Sequence, residues 1–70
     1  DFSIRQKTII SLYGKLWTTK EIAKELGITI DAVEKQKKKI MEIMGVKSIA
    51  GFYSFIFERG LKFFRGPGHV

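Results

Sequence analysis

The sequence predicts an all-α fold, a four-helix bundle that contains a helix-turn-helix. Three observations predict it. Glycines at 14, 27, 45 and 60 divide most of the chain into stretches whose apolar residues recur at helical spacing. None of those stretches shows sustained period-two alternation, so no strand is expected. The sole proline, Pro67, lies near the end and interrupts no helix. The expected helices span about 3–15, 19–26, 30–44 and 48–60.

The first helix opens on Ser3 with Gln6 three residues on, the S-x-x-Q pattern of a capping box. Ile9, Leu12, Tyr13 and Leu16 recur at helical spacing and are expected to face the core, with Ile10 widening the stripe. The second helix is short. Thr18 or Thr19 caps it, and Glu21 places a negative charge in its first turn, where the helix dipole favours one. Ile22, Ala23 and Leu26 form its apolar face, and Gly27 ends it with a left-handed turn.

Thr29 caps the third helix, with Asp31 in its first turn. Val33, Ile40, Met41 and Met44 share one side, flanked by Ile30 and Ile43. The other side carries Glu34, Lys35, Lys38 and Glu42, with Lys37 and Lys39 alongside, and Gly45 closes the helix. Ser48 caps a fourth helix holding Ile49, Phe52, Tyr53, Phe55, Ile56 and Phe57. That helix is apolar on more than one face, so it invites a partner surface beyond one buried stripe. Trp17, at the junction of the first two helices, is expected to be a packing residue.

Seventy residues make one domain, expected over 1–64, followed by a flexible tail at 65–70. A chain of this length buries only roughly 60% of its unfolded surface, so its core must be well filled. Cysteine is absent and the only histidine is His69, which excludes disulfides and offers no convergent set of metal ligands. No cofactor and no metal are expected. The carboxylates are scattered, no Ser-His or Cys-His pairing exists, and no glycine loop suits a phosphate, so an enzyme is not expected. The formal charge of +6 draws the chain to polyanions. No apolar run is long enough to span a bilayer, no signal peptide is visible, and a cytoplasmic protein without membrane contact is expected. The chain begins at Asp1 rather than methionine and is expected to be a piece of a longer protein.

The stretch from Thr18 to Val33, TTKEIAKELGITIDAV, resembles the heart of the LuxR/GerE-type helix-turn-helix, roughly S-N-K-E-I-A-x-x-L-x-I/V-S-x-x-T-V. The family continues with a basic helix and L-G-V, and here the chain runs Ile40-Met-Glu-Ile-Met-Gly-Val46. The opening from Phe2 to Leu12 is similar to the family's L-T-x-R-E-x-x-V-L-x-L. The likeness covers roughly residues 2 to 60. Four positions depart from the pattern. Leu16 stands at the family's glycine, Thr19 at its Asn, Ala32 at its Thr, and Glu34 at a basic position.

The resemblance implies the output domain of a bacterial transcription regulator that binds double-stranded DNA as a homodimer. The third helix would enter the major groove, which admits one α-helix. By position, Asp31, Glu34, Lys35 and Lys38 are the base-contact candidates. Glu34 could accept from a cytosine amino group, or serve only as a helical charge partner of Lys37 or Lys38. Thr18, Thr19, Lys20, Thr29, Lys37 and Lys39 are candidates for phosphate oxygens, with plain capping or a solvated charged face as the alternative. The resemblance implies that the fourth helix pairs with its copy, making Ile49, Phe52, Tyr53 and Ile56 the interface candidates; as aromatics and aliphatics at helical spacing they also suit a core. Two other readings stand beside this one. One is a sigma-region-4-like module that contacts promoter DNA and RNA polymerase. The other is a helical protein-interaction module with solubilising lysines.

Overall fold

Each of the four helices begins on a hydroxyl side chain that accepts from a backbone amide three residues on. The computed structural model describes residues 2–59. It consists of α1 (Ile4–Gly14), α2 (Thr19–Leu26), α3 (Ile30–Met44) and α4 (Ile49–Glu58). Ser3, Thr18, Thr29 and Ser48 are the caps, with N···O distances of 3.1, 3.1, 3.0 and 3.0 Å to Gln6, Glu21, Ala32 and Gly51. Two caps are reciprocal. Gln6 Oε1 accepts from Ser3 N at 2.9 Å, and Glu21 Oε1 accepts from Thr18 N at 2.8 Å. Such a cap contributes about 1 kcal/mol, a useful amount for helices this short. Of the two threonines available to α2, Thr18 is the cap.

The first three helices end alike. In each, a residue one or two places past the helix end takes a left-handed conformation and two backbone bonds close the last turn. Gly27 (φ +69°) and Gly45 (φ +77°) do this for α2 and α3. Their closures are Ile28 N to Ala23 O at 3.0 Å and Val46 N to Met41 O at 3.1 Å. At the end of α1 the same role falls to Leu16 (φ +67°), with Trp17 N donating to Leu12 O at 3.1 Å and Leu16 N to Tyr13 O at 2.8 Å. The residue after each turn, Trp17, Ile28 or Val46, then packs back onto the core.

This corrects the expectation for Leu16. Its side chain is 68% exposed instead of facing the core. The helical period that aligns Leu16 with Leu12 and Tyr13 stops at Lys15, and the left-handed turn swings Leu16 outward and sends Trp17 in.

The core is Ile9, Ile10 and Tyr13 from α1, Ile22 and Ala23 from α2, Val33 and Ile40 from α3, and Phe52 and Ile56 from α4. Leu12, Leu26, Met41 and Met44 cover its edges, while Ile30 and Ile43 stay about half exposed. Tyr13 and Phe52 meet edge to face with ring centroids 5.3 Å apart, and Phe52 and Tyr53 at 5.4 Å. α1 and α3 each pack against the other three helices, whereas α2 and α4 do not meet. The chain turns by 68° between α3 and α4. No single helix among the described residues is long and apolar enough to cross a membrane. The expected tail at 65–70 and the end of the fourth helix at Gly60 lie outside the described residues.

Candidate nucleic-acid interface

The sequence gives α3 its outward face by period alone. Val33 and Ile40 are fully buried, and the residues opposite them at 3.6 per turn are Asp31, Lys35, Lys38 and Glu42, all exposed. Asp31 Oδ2 and Lys35 Nζ form an ion pair at 3.4 Å, with both side chains 76% exposed. A pair so open to water adds little stability, so it opens readily when a stronger partner arrives. α3 carries four lysines against three carboxylates, a formal surplus of only one. Its face is a mixed pattern of donors and acceptors and not a uniform cationic surface.

Glu34, one of the four expected base-contact residues, sits off that face, while Lys37 and Lys39 lie to its sides. Glu34 is exposed and lines a groove at the start of α4 with Lys37, Met41, Val46 and Ile49, which Lys38 and Glu42 of the outward face also border. Lys37 is half-buried, its Nζ 5.4 Å from the centroid of the Tyr13 ring. Lys39 is exposed on the opposite flank.

The start of α2 is the second part of the site. Lys20 is exposed there. Thr18 Oγ1 is engaged in capping, as is that of Thr29 at the start of α3. Thr19 differs from both. Its Oγ1 lies 2.6 Å from the Tyr13 hydroxyl oxygen, across from α1 to α2. Burial is the main force raising the Tyr13 pKa above its ordinary value. The Thr19 hydrogen bond works against it, and the charge of Glu34 and the ionisable phenol of Tyr53 add to it. The phenol therefore keeps its proton throughout the physiological range.

α4 holds the remaining candidates, and the structure divides them. Phe52 and Ile56 are 0% exposed and belong to the core, so they offer no surface to a partner. Ile49 and Tyr53 keep outward surface, and Phe57, 47% exposed, continues their line one turn further. The Tyr53 and Phe57 rings stack at 6.2 Å. Sequence reasoning placed neither Phe57 on this line nor Tyr13 beside Thr19. A line at 49, 53 and 57 has the i, i+4 spacing that would have revealed the first. A tyrosine in an otherwise aliphatic stripe, followed six residues later by a threonine, was the only trace of the second.

Two helices joined across a left-handed glycine, the second presenting an exposed charged face, define a helix-turn-helix domain. The family model described as bacterial regulatory proteins, luxR family (GerE) matches residues 1–56, so the chain belongs to that family of DNA-binding transcription regulators. Comparison with curated proteins and with solved structures finds no match to either.

Proposed function

We propose that this chain binds a specific double-stranded DNA sequence by laying α3 in the major groove. The observation that carries the reading is the outward stripe of α3, where Asp31, Lys35 and Lys38 stand exposed while Val33 and Ile40 anchor the helix from behind. Lysines at 35 and 38 suit guanine O6 and N7. Glu34, at the edge of the stripe, suits a cytosine amino group. Lys20 and Lys39, with the first amides of α2, suit flanking phosphates, since those amides have no acceptor within the helix. A second copy pairs through Ile49, Tyr53 and Phe57 of α4. The near balance of charge along α3 supports a reader of sequence over an indiscriminate polyanion binder.

Titrating a randomised pool of duplexes at several salt concentrations tests this. The parent should bind at low salt and enrich a recurring sequence. The Lys35→Ala/Lys38→Ala double variant should bind more weakly and enrich less sharply, the mark of lost base contacts. A parent with no affinity at low salt, or a double variant that binds and selects as the parent does, would overturn the reading.

A further inference from the structure

The four helices share one polar junction, and it lies on Tyr13. The ring packs on Phe52 and Tyr53 of α4, lies under the Lys37 ammonium of α3, and its hydroxyl meets Thr19 at the first position of α2. Tyr13 itself is 2% exposed, while Thr19 is partly open to solvent.

We propose that Tyr13 is a positioning residue for DNA: it donates its hydroxyl to Thr19 Oγ1 and so leaves the Thr19 hydrogen to reach a phosphate oxygen at the start of α2. The inference rests on the DNA-binding mode proposed above. A hydroxyl has one hydrogen and two lone pairs. If Thr19 donated to Tyr13, no hydrogen would remain for an anion. With Tyr13 as donor, Thr19 accepts from within the protein and donates outward. A phenol is the more acidic of the two hydroxyls and the better donor. The Lys37 charge over the ring draws electron density away and strengthens that donation. Burial and Glu34 meanwhile keep the proton on the phenol, so the donor is never lost by ionisation near neutral pH. A chain of hydrogen bonds polarised in this sense strengthens its outer member. Thr18, one residue earlier, has no such relay, because its oxygen serves the α2 cap.

The test uses the full chain and a fluorescent random-sequence duplex at low salt, since a phosphate contact is independent of sequence. Tyr13→Phe keeps the ring, its packing and the Lys37 contact, and removes only the hydroxyl. It should weaken binding about three- to tenfold, the worth of one neutral hydrogen bond. Thr19→Val, which removes the phosphate donor itself, should weaken it at least as much, and the double variant no more than Thr19→Val, because Tyr13 acts only through Thr19. The salt slope should stay unchanged in all three, as no cation is removed. Thr19→Ser keeps a hydroxyl at the same place and should bind as the parent does, which gives a test free of any folding defect in Tyr13→Phe. Parent-like binding by Tyr13→Phe, additive losses in the double variant, or equal weakening by Thr19→Ser and Thr19→Val would each overturn the proposal. A parent that fails to bind the duplex at all would instead sink the DNA-binding reading, and this inference with it.

Discussion

At the scale of single residues the oddest is Leu16. Three helices close through a left-handed residue, and two of them use glycine for it. Leucine pays about 1–2 kcal/mol there, because its Cβ crowds the following carbonyl. Its side chain recovers little, being 68% exposed. Leu16→Gly removes the strain and adds freedom to the unfolded chain, which offsets about 0.4–1 kcal/mol of the gain. The net expectation is a stabilisation of about 0.5–1 kcal/mol, read as a higher urea midpoint at unchanged slope. A lower midpoint would mean that the leucine side chain contributes more through contact than its backbone loses. The sequence marked this position only through the resemblance, which has glycine there. The helical period pointed the other way and put Leu16 in the core. Periodicity reports side-chain direction only while the backbone stays helical, and nothing in a leucine announces that it has stopped.

At the scale of elements the helix starts and two of the ends were legible, because they are local chemistry. A hydroxyl before an amphipathic stretch, and a glycine after it, each satisfy backbone groups that the helix itself leaves open. Gly27 shows how much the motif leans on this. An added Cβ at Gly27 would meet nothing within 4 Å, so substitution there is opposed by backbone strain alone. Gly27→Ala should destabilise by about 1 kcal/mol in chemical denaturation, and Gly27→Asn by less, since asparagine tolerates the left-handed region better. Equal losses would point to something other than φ. The orientation of α4 was not legible in the same way. Ile49, Phe52, Tyr53, Phe55, Ile56 and Phe57 leave no polar face to mark the outside. Which stripe is buried follows from the turn between α3 and α4 and from the place Tyr13 leaves for Phe52, both set by distant packing. The outward face of α3 was legible because its charges alternate with a buried stripe. The place of Glu34 beside that stripe was not, because the groove it lines is formed with the start of α4.

At the scale of the whole molecule, the proposed pairing asks α4 to serve two demands at once. Phe52 and Ile56 fill the core, so the proposed surface for a second copy is the next stripe around, Ile49, Tyr53 and Phe57. The two stripes predict opposite outcomes for the same chemical change. Ile56→Asp buries a carboxylate with no partner and removes a core side chain, a loss of about 2–5 kcal/mol or more. A domain of this size has little stability beyond that, so the variant should lose its helical circular dichroism. Phe57→Asp places its charge on a surface already 47% exposed, beside Glu58. It should keep the helical signal and the melting behaviour of the parent within about 0.5 kcal/mol. Its defect should appear only where two copies meet. On a duplex carrying two half-sites one helical turn apart, the parent should bind more tightly than on one half-site, through the effective concentration of the second copy. Phe57→Asp should lose about tenfold or more of that advantage while binding the single half-site as the parent does. If Phe57→Asp keeps the full advantage, the copies do not pair through this stripe of α4. If it binds the single half-site poorly as well, Phe57 acts within the monomer, and the outward line of α4 has some other use.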